Sequence, residues 1–221
     1  MPKRNFILAT SEIYHIYNRS IAKEIIFPTP KYLNKAQEII DYYRFPHRMR
    51  LSKFKTLPLD QRKEYEESFR RSNPLIEIYA FAIMPNHYHL LIKQLQENGI
   101  IKFISNFQNS YAKFLNIKID RSGSVFQKPF KGKRIEDDNQ LLHVSRYIHL
   151  NPVTAYLIEF EELKFYPWTS FIHYQNSGND NFIQKEAILN NFKSFKSYSR
   201  FVSDQVDYQR NLALIKDLLI E

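Results

Sequence analysis

The sequence predicts an α+β fold, with helices packed on an antiparallel sheet, and three observations carry that expectation. Segments of strand and helix periodicity run as a strand, a helix, a hairpin, a helix, short strands and further helices. Two β-rich runs are separated only by Met84, Pro85 and Asn86, where proline and asparagine favour a tight connection. At 221 residues, with no internal repeat and no low-complexity tract, the chain is long enough for one compact domain with a real core.

The elements follow in order. In "EIYHIYNRS" (residues 12 to 20), Ile13, His15 and Tyr17 alternate with Tyr14, Ile16 and Asn18, the period of a strand. "TPKYLNKAQEIIDYYRF" has Pro30 near its start and Tyr32, Leu33, Ala36, Ile39, Ile40 and Tyr43 at helical spacing. Residues 44 to 73 are strongly basic and broken by two prolines; they read as a surface insertion with a helix from Asp60 to Arg71 capped by that aspartate. "LIEIYAFAIMPNHYHLLIKQ" is the hairpin, with His87 and His89 on its second strand.

A long helix is expected in "ENGIIKFISNFQNSYAKFLNIK", where Ile100, Phe103, Ile104, Phe107, Tyr111, Phe114 and Leu115 form one stripe. "SGSVFQKPFKGKRI" predicts a strand near Ser124 to Gln127, a turn, and a strand near Gly132 to Ile135. "EDDNQLLHVSRYIHLNPVTAYL" opens on residues that can cap a helix and continues through Leu141, Leu142, Val144 and Ile148. The tail from about Glu161 holds "FYPWTSFIHY", a polar break at "SGND" and two further helices ending at Glu221.

Composition narrows the chemistry. The absence of cysteine removes disulfides, thiolate zinc sites and cysteine nucleophiles together, so a metal site must use His, carboxylate or amide ligands. No apolar run approaches the roughly 20 residues that cross a bilayer, and the opening "MPKRNFILATSE" is too short an apolar stretch for a secretory signal, so a cytoplasmic protein is expected. A net charge of +9 favours a polyanionic partner. The 18 Phe and 15 Tyr, many beside Lys, Arg or Asn, suit stacking on unpaired bases as well as ordinary core packing.

Side chains at i and i+2 of a strand share a face, so His87 and His89 emerge together, with Tyr88 directed oppositely into apolar packing. Two such imidazoles either chelate one cation or stand as neighbouring polar groups on a half-exposed strand. A zinc hydrolase is disfavoured by the absence of HExxH and of cysteine, and a two-histidine phosphoesterase by the absence of a second His-x-Ser/Thr element. Tyr147 and Asn151 stand one helical turn apart in "RYIHLNP", where Pro152 makes Asn151 an expected last-turn residue. That pair either packs and caps the helix end or supplies a nucleophilic hydroxyl and a hard amide ligand. Combined, the two elements make a mechanism: Mg²⁺ or Mn²⁺ held by His87, His89 and Asn151 polarises a phosphate that Tyr147 attacks in line.

"AFAIMPNHYHLLIK" resembles the His-hydrophobic-His signature of HUH nucleases, and "RYIHLNPVTAYL" resembles the tyrosine segment of the single-tyrosine HUH transposases, both the insertion-sequence enzymes and their REP-associated relatives. With "YHIYNRS" and "GSVFQKPFKGKRI", the resemblance spans roughly residues 12 to 174. It implies a ferredoxin-like antiparallel sheet with packed helices (the HUH nuclease fold) over residues 1–174, followed by a helical C-terminal extension over 175–221 packed on the same domain. It further implies metal-dependent nicking and rejoining of single-stranded DNA at hairpin-containing ends. Carried over by position, His87, His89 and Asn151 are metal ligands and Tyr147 is the nucleophile that forms a 5′-phosphotyrosine. Tyr111 is the rival nucleophile, but it lies on the apolar stripe and lacks a following Asn-Pro.

The Gly-Thr-Trp element frequent near the N-terminus of REP-associated enzymes is absent, and the insertion at 44–73 and the tail after about 175 fall outside the resemblance. His15, Asn18 and Arg19 in the first strand either face DNA or the active site, or take a packing or surface role. Lys128, Lys131, Lys133 and Arg134 form a basic loop expected, with Arg19, to contact phosphates. A monomer is expected over a homodimer, with the tail covering a sheet edge. The alternative reading is a regulatory protein that binds DNA hairpins on the same fold without cleaving them.

Overall fold

The computed structural model describes residues 7–176, 178 and 181–218. Four antiparallel strands form one sheet in the order β2-β3-β1-β4: β1 Ile13–Arg19, β2 Ile76–Met84, β3 His87–Gln94 and β4 Lys131–Arg134. The major helices are α1 Pro30–Tyr43, α4 Gly99–Lys118 and α5 Asp138–Thr154, with α2 Leu51–Phe54 and α3 Leu59–Arg70 between α1 and β2. The tail forms α6 Phe171–Tyr174, α7 Glu186–Leu189, α8 Phe195–Ser203 and α9 Val206–Leu218, more and shorter helices than the two expected. The polar break at 177–180, Gly178 excepted, and the expected chain-terminal turn of helix at 219–221 lie outside the described residues. The architecture is α+β, helices packed on a four-stranded antiparallel sheet.

Strand β1 lies between β3 and β4, so its two faces meet two different layers. Tyr14 and Ile16 are buried on one face, the same face as Tyr88, whose ring meets Phe107 of α4 and whose hydroxyl accepts from Gln108 Nε2 at 2.7 Å. The α4 stripe is buried through Ile100, Phe103, Ile104, Phe107, Tyr111 and Leu115, as its helical spacing requires, with α1 packed beside it. Helix α5 occupies the other face.

Three local expectations change. Asp60 lies in the first turn of α3, and the cap position is Pro58, which offers no side-chain acceptor. The insertion is more than a surface excursion: Phe54 and Phe69 are buried with Tyr42, and His47 stacks on Tyr42 at 3.6 Å between ring centroids. Ser124–Gln127 is not a strand. It makes a single bridge, Ser20 to Phe126, and then meets Pro129, which has no N–H to continue a ladder.

Residues 168–170 and Gln184 lie along the outer edge of β2. Ile83 N donates to Trp168 O at 2.9 Å, Ser170 N to Phe81 O at 3.0 Å, and Gln184 N to Ile78 O at 2.8 Å, so this edge is paired rather than open. His149 of α5 ties the tail to the sheet: its Nδ1 meets Tyr198 Oη at 2.8 Å and its Nε2 meets Ser170 Oγ at 2.7 Å, while Ser170 Oγ also accepts from Phe81 N. Among the described residues, no helix is long and apolar enough to cross a membrane.

Burial pushes the His149 imidazole down to about 3 from an ordinary value near 6.5. Its folded-state pKa therefore lies below the unfolded one, so its stabilisation is complete above about pH 6.5 and is lost as the pH falls toward 3. In urea denaturation, His149→Gln should lower stability by about 1–3 kcal/mol at pH 7. It should also flatten the acid-side slope by up to about 1.4 kcal/mol per pH unit, and an unchanged slope would show that His149 does not titrate on unfolding.

Candidate active site

Antiparallel pairing sets the site. In the β1–β3 register Tyr17 lies opposite His89 and Arg19 opposite His87; in the β1–β4 register Tyr17 lies opposite Lys131 and His15 opposite Lys133. Because alternate residues share a face, His15, Tyr17 and Arg19 of β1 join His87 and His89 of β3 and Lys131 and Lys133 of β4 on the α5 side. Helix α5 brings Tyr147 above them, 37% exposed, with its ring edge-on to His89 at 5.5 Å and to His15 at 5.9 Å between centroids. A cavity of about 330 Å³ opens here, lined by His87, His89, Tyr147, Tyr17, Arg19, Lys23, Lys131 and neighbours, with no carboxylate in its lining among the described residues.

The histidines are held by their Nδ1 atoms. His87 Nδ1 donates to Asn86 Oδ1 at 2.7 Å, and Asn86 is itself fixed by donating through Nδ2 to Lys23 O at 3.1 Å. His89 Nδ1 lies 2.9 Å from His15 Nε2. Neither Nε2 of His87 or His89 has a hydrogen-bond partner among the described residues. Burial lowers the pKa of all three rings, His15 to about 4 and His87, with help from the Arg19 charge, to about 4; His89 falls well below its ordinary value through burial first, then the unfavourable charging of a ring beside His15, His87 and Arg19. They are neutral at physiological pH, the form in which imidazole binds metal.

Burial raises the Tyr147 phenol above its ordinary value, as does the nearby Tyr17, while Arg19 and the Asn151 amide pull it back. Tyr111 is far from this chemistry. It is fully buried, its hydroxyl donates to Ile26 O at 2.6 Å, and burial raises its pKa strongly.

The remaining expected residues divide. Arg19 and Lys131 line the cavity, and Lys133 shares the Lys131 face. Lys128 is exposed ahead of β4, whereas Arg134 alternates to the opposite face and pairs with Glu12 at 2.8 Å. Asn18 is buried, donating through Nδ2 to Gln127 O at 2.8 Å. Asn151 is not among the residues that line the cavity, and α5 continues through Pro152 to Thr154 instead of ending there. Pro152 has no N–H for Ile148 O, and Asn151 Nδ2 takes up that role, donating to Ile148 O at 3.4 Å and to Tyr147 O at 2.9 Å.

Tyr17 and Lys23 were not singled out by sequence. Tyr17 shares strand period two with His15 and could have been. Lys23 reaches the cavity because Ala22 and Lys23 both adopt left-handed backbone, φ 54° and 58°, which no local pattern announces. Among the described residues no three His, Asp or Glu side chains form a metal-holding group, so a cation here needs oxygen ligands beyond the two imidazoles.

A family model for IS200-like transposases matches residues 49–151, which include His87, His89, Tyr147 and Asn151 and begin inside the basic insertion. The structure of a REP-associated tyrosine transposase bound to a REP hairpin is similar to this chain with a TM-score of 0.51 and 12% identity, covering 79% of this chain and 85% of that one. A proposed transposase from Deinococcus radiodurans gives a TM-score of 0.37 and 11% identity, covering 67% of this chain and 95% of that one. No curated protein matches the chain.

Removing the Asn151 amide should leave Ile148 O without its donor. Asn151→Ala should cost about 1–3 kcal/mol in chemical denaturation. Asn151→Ala combined with Pro152→Ala should recover most of that loss, because residue 152 then supplies its own N–H; additive losses in the double variant would refute the compensation.

Proposed function

We propose that this chain, whose residues 49–151 match a family model for IS200-like transposases, is such a transposase and nicks and rejoins single-stranded DNA at hairpin-bearing ends through a covalent 5′-phosphotyrosine on Tyr147. The observation that carries the reading is the placement of Tyr147 against His89 over a cavity lined by Arg19, Lys23 and Lys131 and, among the described residues, by no carboxylate. Such a cavity suits a phosphodiester.

His87 and His89 would hold Mg²⁺ or Mn²⁺ through Nε2, with the remaining ligands coming from phosphate and water oxygens, because the expected third ligand Asn151 is outside the cavity lining and its amide serves the carbonyls of Tyr147 and Ile148. The two imidazoles fit: both are neutral, both have Nδ1 engaged, and neither Nε2 has a hydrogen-bond partner among the described residues. A bound cation supplies polarisation of the scissile phosphate and neutralises its charge. The chain's own groups do the rest. Arg19, Lys23 and Lys131 attract and orient the phosphate, and the Arg19 charge favours the phenolate of Tyr147. As the Tyr147 oxygen bonds to phosphorus, the bond to the 3′ oxygen breaks, leaving a 3′ hydroxyl on one strand and the 5′ phosphate on the tyrosine. Attack by another 3′ hydroxyl reverses the step, so strands are joined without a separate energy source.

Lys128 and Lys133 extend the cationic surface outward from the cavity, and Arg134, paired with Glu12, would meet phosphate only at the far side of β4. A monomeric protein is supported by the pairing of Trp168, Ser170 and Gln184 along the β2 edge. The described part of the tail belongs, on this proposal, to the same domain, because α8 and α9 pack on the helix that carries Tyr147.

The test is incubation with labelled single-stranded DNA from the flanks of the chain's own gene, with Mn²⁺, followed by denaturing electrophoresis. A protein–DNA adduct should form with wild type and Tyr111→Phe and vanish in Tyr147→Phe. Tight binding with no adduct in any of them would favour a DNA-binding protein that does not cleave. Arg19→Ala and Lys131→Ala should each lower the salt dependence of DNA binding by about one phosphate contact, and an unchanged slope would remove the residue from the interface.

A further inference from the structure

We infer that His15 is a positioning residue for His89, accepting the Nδ1 proton of His89 on its own Nε2 and so leaving His89 Nε2 as a bare nitrogen for a cation. The inference rests on the metal-binding reading of His87 and His89 given above.

His15 and His89 bring Nε2 and Nδ1 to 2.9 Å, with their rings stacked at 26° and centroids 5.1 Å apart. Two nitrogens at that separation share one hydrogen, so only two arrangements of neutral rings exist. If His15 donates, His89 carries its own proton on Nε2, and that nitrogen has no lone pair to give a cation. If His89 donates, its Nε2 is free and His15 carries its proton on Nδ1.

The neighbouring histidine favours the second arrangement by analogy. His87 Nδ1 faces Asn86 Oδ1 at 2.7 Å, and the Asn86 amide is oriented by Nδ2 donating to Lys23 O. An amide oxygen only accepts, so His87 holds its proton on Nδ1 and keeps Nε2 free. His15 supplies the same acceptor for His89, with an imidazole where metal-bound histidines more often use a carboxylate or a carbonyl.

Geometry supports a positioning role beyond packing. His15 and His89 lie on adjacent strands in diagonal register, Tyr17 opposite His89 and His15 opposite Leu91, which brings the two rings together on the cavity face. Tyr17 stacks against His89 at 5.7 Å on the same side, restricting ring rotation. The acceptor brings no negative charge, so the cavity stays cationic apart from what the DNA phosphate contributes.

The experiment uses the full chain. Imidazole ¹⁵N spectra with Mg²⁺ should show His89 protonated at Nδ1 and bare at Nε2; a proton on Nε2 overturns the inference. Mn²⁺ binding, read by electron paramagnetic resonance, should weaken by about 10–100-fold in His15→Phe. His15→Gln, whose amide oxygen can accept the same proton, should stay within about threefold of wild type. Equal Mn²⁺ affinity in wild type and His15→Phe overturns the role of His15 while leaving the metal site standing. Mn²⁺ binding that ignores both His87→Ala and His89→Ala overturns the metal reading itself, and this inference with it. Should His15→Phe fail to fold, the wild-type spectrum alone decides.

Discussion

The pairing of β1 with β3 is the constraint on which the rest of the molecule depends. Strand β1 is central, hydrogen-bonded on both sides, and its alternate residues serve opposite ends: Tyr14 and Ile16 fill the core under α4, while His15, Tyr17 and Arg19 face α5. A one-residue slip would exchange those sets, placing apolar side chains at the cavity and histidine in the core. The hairpin turn pins the register. Pro85 O accepts from both Ile26 N and Phe27 N at 2.9 Å, and Asn86 O accepts from Ser20 N at 2.8 Å, which locks the turn to the chain leaving β1.

Helix α5 faces a second constraint, rotation about its own axis. Tyr147 and His149 are two residues apart and point in nearly opposite directions, about 200° around the helix. Holding His149 between Tyr198 and Ser170 turns Tyr147 toward the strands. The tail adds to this hold from outside, with Gln209 Nε2 donating to Tyr147 O at 3.2 Å and Arg210 Nε donating to Val153 O at 3.3 Å. The helices that look least chemical in sequence thus set the aim of the most chemical side chain.

Electrostatically the site is built from neutral rings and fixed cations. Desolvation keeps the imidazoles uncharged beside Arg19, Lys23 and Lys131, where protonated histidines would repel them. The phenol of Tyr147 feels burial and the Arg19 charge in opposite senses. Among the described residues no carboxylate lines the cavity, so its cations have no internal counter-charge there.

Period and punctuation in the sequence determined β1, the β2–β3 hairpin, the α4 stripe and the start of α5, because strand and helix burial impose fixed spacings on apolar residues whatever surrounds them. The same spacing put His87 and His89 on one face and set Tyr111 apart on the buried stripe. Tertiary structure decided what lies across the sheet and beyond the helix ends. Only the β1–β3 register joins His15 to His89, and only left-handed backbone at residues 22 and 23 delivers Lys23. The Glu12 partner of Arg134 comes from the far end of the chain, and α5 continues past Pro152 because the Asn151 side chain, rather than the backbone, serves Ile148 O. Those outcomes rest on contacts between residues distant in sequence, or on a side chain replacing a missing backbone donor, and neither leaves a periodic trace in the chain.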